Sequence, residues 1–275
     1  MTGREHFSPR LRRATTPGWL WVPSLLALAF LAGPLIALGA AADWGRLGGQ
    51  LTDPSTREAL WLSLRTSTVS TGLCLALGIP LSVLLSRLHG PLLQLMRGVL
   101  LIPLVLSPVV SGLALLYFWG RRGTLGGWLE SMGWGVGFSP AAVVLVQVFV
   151  SLPFFVVAAL SSIESVDANL ELSAANAGAN AAQIVRYITL PLAAPGIIVG
   201  TLLAFARSLG EYGATITFAG SVAGETRTLP LQIELALNSN APSSAVGISI
   251  MLVGLYLLVL IAAGAGVQRI FGRRS

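Results

Sequence analysis

The chain has 275 residues, of which 54% are hydrophobic and only 10% are charged, whereas an average soluble domain is about 25% charged. A chain this apolar cannot hide its surface from water, and its apolar runs are long enough to cross a bilayer, so the composition excludes an ordinary soluble protein. The net charge of +6 therefore indicates arginines that flank membrane spans and face anionic lipid, rather than a nucleic-acid partner.

Six apolar runs predict an all-α integral membrane protein with about six transmembrane helices. The runs lie at residues 19–42, 59–85, 95–119, 140–163, 192–219 and 245–267. The first run has an alternative interpretation as a cleaved signal peptide, because arginines precede it and three alanines at 40–42 resemble a cleavage site. Its apolar stretch is longer than a typical signal core, which favours a retained span.

The placement of arginine predicts that both termini are cytoplasmic. If the N terminus lies inside, ten arginines fall in internal segments and five in external ones, and cytoplasmic loops carry such an excess of positive charge. Residues 1–18 and 270–275 are then cytoplasmic tails, and residues 19–42 are the first transmembrane helix.

Small residues and prolines predict how the spans pack and bend. Glycine or alanine recurs four residues apart at Gly196 and Gly200 and at Gly210 and Ala214, a spacing that lets helices approach closely in lipid. Kinks are predicted at the prolines inside spans. These are Pro80, Pro103, Pro108 and Pro153.

Several kinds of catalytic or metal site are absent from the sequence. The chain contains no lysine, so it cannot form a nucleotide-binding P-loop, which needs one. Cys74 is the single cysteine, and His6 and His89 are far apart without ligand spacing. We therefore predict no catalytic residue, no metal site and no cofactor in this chain.

The loop between the fourth and fifth runs, residues 163–191, is too polar to span a membrane, yet its apolar residues recur at helical spacing. Gly178 falls between its halves as a helix stop, and Asn180 is the predicted cap of the second half. Pro191 then opens the fifth span. The pattern predicts two short surface helices joined by a glycine turn.

The charge of this loop bears on what it contacts. A helix resting on lipid needs a strongly basic polar face, but the loop has Arg186 against Glu164, Asp167 and Glu171. An acidic surface next to anionic lipid is unfavourable, so a protein partner is favoured over lipid.

The spacing from Gly178 through nine residues to an Ile-x-Leu-Pro end resembles the "EAA" loop of importer-type ABC permeases, and the family's Glu-Ala-Ala appears here as ELSAA at 171–175. The resemblance assigns coupling to Glu171, Ala174, Ala175, Gly178, Ile188, Leu190 and Pro191.

This resemblance extends over about residues 59–269 and implies a type I ABC importer permease fold. It implies that loop 164–190 docks into a groove on a separate cytoplasmic ATPase subunit, so the chain itself is not an enzyme. The other implied partners are a second permease chain in a homodimer and an extracytoplasmic oxyanion-binding protein. The implied location is a bacterial or archaeal inner membrane.

A charged stretch, RSLGEYGATITFAG, closes the fifth run. Spacing of four places Arg207, Glu211 and Thr215 on one face of a continuous helix. A lone charge at the centre of a spanning helix costs roughly 2.5–3.5 kcal/mol, so both charges need partners. Two interpretations stay open: a structural ion pair, or a translocation path in which Arg207 and the threonines touch an oxyanion while Glu211 limits how tightly it is held.

Residues 196–220 and 224–237 resemble the molybdate-permease branch of the family. The resemblance implies import of molybdate, with tungstate as a related cargo. Sulfate permeases have a similar Gly-Glu-aromatic-Gly-Ala segment, so a sulfate or thiosulfate permease is the alternative.

An alternative from another class is a stand-alone secondary transporter or channel. Such a protein needs coupling-ion sites near mid-membrane and often has two related halves, and the sequence shows neither an internal repeat nor an acidic mid-membrane cluster. Co-purification of an ATPase through loop 164–190 would distinguish the two classes.

Overall fold

The computed structural model describes residues 17–239 and 241–271, with side chains described as far as residue 261. The described chain is helical and contains no strand. Its α-helices are, in chain order, α1 (Trp21–Ala40), α2 (Leu47–Thr52), α3 (Pro54–Arg87), α4 (Pro91–Val105), α5 (Pro108–Trp119), α6 (Gly126–Ser131), α7 (Pro140–Glu164), α8 (Ala168–Asn176), α9 (Ala181–Ile184), α10 (Leu190–Leu209), α11 (Gly213–Phe218), α12 (Leu229–Asn238) and α13 (Pro242–Phe271).

The chain divides into two compact units, residues 1–42 and 43–275. In the first unit a short 3₁₀ turn leads into α1, and together they form an apolar helix, Gly18–Ala40, that is long enough to cross a membrane. The predicted first span is therefore a helix. The predicted tail at 1–18 falls almost entirely outside the described residues, as do residues 272–275 of the other tail.

The second unit is built around α3, α7 and α10. Helices α3 and α7 each begin with proline in the first turn, where the missing N–H has no helical partner to lose. Asp53 caps α3 by accepting the Thr56 N–H at 3.0 Å. Gly196 and Gly200 lie against α7, and a Cβ at Gly200 would come within 2.9 Å of the Phe155 carbonyl oxygen. The predicted close approach through this glycine pair is present.

The described chain has five helices that are long and apolar enough to cross a membrane, or six if one bent pair counts as a single span. The second, fourth and sixth predicted runs correspond to α3, α7 and the Pro242–Ile261 part of α13. The third and fifth runs differ from the prediction of one continuous helix each.

The third run is two helices, α4 and α5, and the chain bends by 116° between them. Proline disfavours helical backbone at the residue before it, and Ser107 before Pro108 is extended, with φ −63° and ψ 150°. The Ser107 hydroxyl then accepts the Val110 N–H at 3.4 Å and begins α5. The kink predicted at Pro108 is therefore a complete break.

The fifth run begins earlier than predicted and ends sooner. Helical structure runs without a break from Ala181 to Leu209, passing through a π-helical turn at Val185–Thr189. The prediction that Pro191 opens this span is wrong, because a local π turn lets a helix continue past a residue that lacks an N–H.

At its other end the fifth run stops at Leu209, and α11 follows after residues 210–212. Gly210 and Ala214 consequently do not share a helix, so the predicted second small-residue pair is wrong. The Glu211 carboxylate accepts the Ala214 N–H at 2.8 Å, and this local bond competes with continuation of α10.

Candidate functional sites: the loop hairpin and the buried ion pair

The loop hairpin, residues 167–189, is held in shape by its own caps. Asp167 begins α8 by accepting the Asn169 N–H at 2.9 Å. Gly178 then reverses the chain with φ +93°, a conformation that glycine adopts without strain. Asn180 and Gln183 form a capping box that begins α9, with bonds of 2.9 and 2.8 Å. The predicted glycine turn and Asn180 cap are both present.

The hairpin presents an apolar surface to its surroundings. Leu170, Leu172 and Tyr187 are exposed large apolar side chains. A cavity of about 360 Å³ lies beside Tyr187 and is lined by residues on both sides of the turn, including Gly178 and Ile188. Exposed apolar surface rimmed by polar groups is typical of a protein contact.

Glu171 does not belong to that exposed surface. Its two carboxylate oxygens accept bonds from the Arg87 guanidinium at 2.6 and 2.7 Å, and the buried Thr189 hydroxyl donates to the same carboxylate at 2.6 Å. The Arg87 guanidinium lowers the pKa of the Glu171 carboxyl, and the Thr189 hydroxyl lowers it further, while partial burial acts in the opposite direction.

Arg87 and Thr189 are absent from the site predicted from the sequence. Arg87 ends α3, and it is one of the ten arginines whose placement predicts a cytoplasmic location for this end of the helix. A basic residue at the end of one span and an acid in a loop more than eighty positions later give no sequence signal of contact.

A second ion pair lies at the same end of the helices. Arg97 in α4 contacts Glu164, the last residue of α7, at 2.5 Å. Both side chains are nearly half exposed, at 43% and 46%, and such pairs contribute little to stability because water screens them.

Within the membrane-spanning part, Arg207 and Glu211 form the predicted ion pair, with 2.5 Å between Nη1 and Oε2. The Glu211 side chain is 1% exposed and that of Arg207 29%. The other Glu211 oxygen caps α11 through Ala214. Both oxygens of the buried carboxylate therefore have partners.

Thr215 is not on a continuous helix face with this pair, because α10 ends between them. It lies in α11, fully buried, and in the described structure its hydroxyl has no hydrogen-bond partner. The predicted face of Arg207, Glu211 and Thr215 is thus wrong in its geometry, although its ion pair is present.

Next to Arg207, a seam of buried hydroxyls joins the three central helices. Ser208 in α10 bonds to Ser70 in α3 and to Ser151 in α7, each at 2.9 Å. One turn away, Gln147 donates to Thr66 at 3.2 Å. Such interhelical bonds in membranes average about 0.6 kcal/mol each and fix helix position.

The comparisons with known proteins agree with this architecture. The family model "Binding-protein-dependent transport system inner membrane component" matches residues 78–275. The molybdenum transport system permease protein ModB of Mycobacterium tuberculosis is 46% identical over 249 residues, covering 90% of this chain and 94% of that protein. The sulfate transport system permease protein CysW of Escherichia coli is 39% identical over 185 residues, covering 67% and 64%.

Among solved structures, a chain of a bacterial alginate ABC transporter in complex with an alginate pentasaccharide-bound periplasmic protein has a TM-score of 0.73. It is 20% identical, and the match covers 92% of this chain and 95% of that one. At this identity the likeness shows the shared fold.

Proposed function

Because the chain belongs to the family of binding-protein-dependent transport system inner membrane components, we propose that it is the permease subunit of an ABC importer that moves molybdate into the cytoplasm. The observation that carries the choice of cargo is the 46% identity to ModB over 90% of the chain, against 39% over 67% for CysW. The chain is a multi-pass inner-membrane protein with the type I importer permease fold. Because the chain belongs to this family, we reject the alternative of a stand-alone transporter or channel.

The proposed partners follow from the family and from the hairpin. The exposed apolar side chains of the hairpin, Leu170, Leu172 and Tyr187, would contribute to its docking into a groove on a cytoplasmic ATPase. ATP hydrolysis would take place on that chain, since this one has no lysine for a P-loop. A binding protein would deliver the oxyanion, and a second copy would complete the pathway. No cofactor is needed in this chain.

We assign the Arg207–Glu211 pair to structure rather than to the path of the oxyanion. Glu211 is nearly inaccessible and both its oxygens have partners, so it is not poised to meet a passing anion. The pair would instead hold α11 at the end of α10. Arg207, with 29% of its side chain exposed, is the more accessible member of the pair.

The proposed function is tested by uptake in proteoliposomes that contain the permease, its co-purified ATPase and the binding protein encoded with it. We expect ATP-dependent uptake of radioactive molybdate, which tungstate inhibits and excess sulfate does not. Charge does not separate these tetrahedral dianions, so the binding protein provides most of the selectivity and the permease binds weakly. Sulfate uptake that molybdate inhibits only weakly would transfer the chain to the sulfate permeases.

A further inference from the structure

Arg65 is a charged residue within a membrane-spanning helix. It lies in α3, inside the second apolar run, and its side chain is exposed. Among the described residues it has neither an ion-pair partner nor a side-chain hydrogen bond, in contrast to Arg207, which is paired with Glu211. Ionisable groups within spans are costly and are almost always paired. The partner of Arg65 is therefore expected outside the described part of the chain.

The length of α3 places Arg65 near one surface of the membrane. Helix α3 has 34 residues and is about 51 Å long, whereas the hydrocarbon core is about 30 Å thick. If the excess length is shared by the two ends, Arg65, about 16 Å from Pro54 along the axis, lies about 6 Å inside the core. Side chains of a helix lean toward its N terminus, so the long arginine side chain reaches the phospholipid head groups at the Pro54 end.

Between Arg65 and the opposite end of α3, the exposed large side chains are apolar. The exposed Thr68 hydroxyl is already used, because it donates to the Leu64 carbonyl at 2.7 Å. A dianion on this surface would meet no free donor, so the surface does not resemble a path for the cargo. Such a surface is suited to acyl chains. Its exposed apolar residues are Val69, Leu73, Leu77 and Leu84.

Toward Pro54, α3 borders a cavity of about 700 Å³ that is lined in part by Glu58 and Trp61. The Trp61 side chain is 69% exposed, and tryptophan is enriched where the hydrocarbon meets the head groups. Glu58 is exposed and, like Arg65, has no partner among the described residues. Seven residues are close to two helical turns, so Glu58 and Arg65 lie on the same face, about 10 Å apart along the axis.

We propose that this face of α3, residues 58–77, binds a phospholipid whose head group contains a primary amine, as in phosphatidylethanolamine. The Arg65 guanidinium binds the phosphate, which arginine contacts through two parallel N–H bonds. The amine lies farther from the hydrocarbon, beside the Glu58 carboxylate, and an acyl chain covers Val69 and Leu73. An anionic head group without an amine would leave Glu58 next to a like charge, so charge complementarity favours the zwitterion.

The proposal requires only that α3 lies in a membrane. It does not depend on the cargo or on the ATPase, so its test is separate from the test of the proposed function.

Three variants and one control examine the site. Arg65→Gln removes the charge, whereas Arg65→Lys retains it. Glu58→Gln retains the shape of the outer contact and removes its charge. Arg122→Gln is the matched control, because Arg122 is also exposed and without a partner among the described residues but lies in the loop after α5.

Native mass spectrometry of the purified full-length permease, with any subunits that remain bound, measures the affinity for phosphatidylethanolamine, phosphatidylcholine and phosphatidylglycerol. We expect the wild type to bind phosphatidylethanolamine most tightly. Arg65→Gln should weaken that binding roughly tenfold, as expected for loss of a charge-assisted hydrogen bond, while Arg65→Lys and Arg122→Gln should weaken it much less. Glu58→Gln should abolish the preference over phosphatidylcholine, because a quaternary ammonium group cannot donate a hydrogen bond.

A second measurement needs no variant. Phosphatidylethanolamine with a photoreactive group on its acyl chain is added to membranes that contain the wild type, and the cross-linked peptides are identified by mass spectrometry. Cross-links should be concentrated in residues 66–77, and unlabelled phosphatidylethanolamine should compete with them better than phosphatidylcholine does.

Equal affinity of Arg65→Gln and the wild type for phosphatidylethanolamine would overturn the proposal, as would cross-links spread evenly over the exposed apolar helices. Tighter binding of phosphatidylglycerol than of phosphatidylethanolamine would overturn the contact between Glu58 and an amine. If Arg65→Gln separated two permease chains while lipid binding stayed unchanged, Arg65 would belong to a contact between copies and the lipid site would be rejected.

Discussion

Glu211 shows how a carboxylate can be tolerated within an apolar run. One of its oxygens faces the Arg207 guanidinium and the other accepts a backbone N–H at the start of α11. A buried ion pair is not itself strong evidence of stability, but removing one member leaves a charge in a site that cannot solvate it. The two members differ in exposure, so the two removals should differ in effect.

Replacing Arg207 should be more damaging than replacing Glu211. Arg207→Met leaves a nearly inaccessible carboxylate without a countercharge, which costs about 3–5 kcal/mol. Glu211→Gln leaves a partly exposed arginine and a glutamine oxygen that can still accept the Ala214 N–H. Thermal unfolding in detergent should give the lowest midpoint for Arg207→Met and a partial recovery in the double variant. An additive double-mutant cycle would contradict the pairing.

The contact between Glu171 and Arg87 should be lost in acid. The guanidinium holds the pKa of the Glu171 carboxyl below its ordinary value of 4.5. A lowered pKa in the folded state means that the stabilisation is complete above the ordinary value and disappears as the pH falls through the lowered one. Amide protection of residues 168–176, corrected for intrinsic exchange, should be constant at neutral pH and fall in that acidic range. In Arg87→Gln the fall should begin at higher pH; an unshifted profile would refute the link.

At the scale of elements, the turn at Gly178 is the part of the hairpin with the strictest backbone requirement. Its φ of +93° disfavours any side chain, although a Cβ there would meet no atom within 4 Å. Strain, rather than a clash within this chain, is therefore the expected effect of substitution.

Gly178→Leu should impose about 1–2 kcal/mol of backbone strain and also place a bulky side chain on the proposed docking surface. We expect normal membrane insertion, with transport and transport-coupled ATPase stimulation falling together. Gly178→Asn is the matched variant, because asparagine tolerates a positive φ better than leucine, and it should retain more of both activities. Normal uptake by Gly178→Leu would show that the hairpin does not dock as proposed.

The helices that could be predicted from the sequence are those whose evidence is local. The lengths of the apolar runs predicted α3, α7 and α13. The glycine at 178 and the asparagine at 180 predicted the turn and the helix cap. The breaks after α4 and after α10 could not be predicted in the same way, because both sides of each break are apolar enough for lipid. Hydropathy does not distinguish one long span from two short helices that meet at an angle.

The candidate site was predictable to a similar degree. Spacing of four identified the Arg207–Glu211 pair but not the end of α10 between Arg207 and Thr215. The resemblance pointed to Glu171, but the contacts of Glu171 could not be predicted from local sequence, because its partners Arg87 and Thr189 come from different helices. Contacts between distant segments require the packing of the whole unit.

At the scale of the whole molecule, the orientation of the chain in the membrane is the prediction that is simplest to test. The arginine count places the loop hairpin inside, so the loop that contains α6 should lie outside. Cys74, the single cysteine, is completely buried and should not react with a polar maleimide. The natural chain therefore provides an unlabelled background.

Ser131→Cys and Ser173→Cys place thiols at exposed positions in α6 and α8. In cells whose outer barrier has been opened, a membrane-impermeant maleimide should label Ser131→Cys directly. It should label Ser173→Cys only after the inner membrane is permeabilised, and the unmodified chain not at all. The opposite order of labelling would reverse the orientation while leaving the fold unchanged.

The π turn at Val185–Thr189 has a consequence for the phase of the side chains around it. A π turn holds one residue more than the α-helical pattern requires, and one residue of an α-helix corresponds to a rotation of about 100°. A single helical wheel drawn through the whole helix therefore cannot give the correct direction for the side chains on both sides of the turn. This offset accompanies a Thr189 directed inward at Glu171 and a Tyr187 directed outward. A helical wheel drawn across residues 181–209 should be redrawn in two parts, one on each side of the turn.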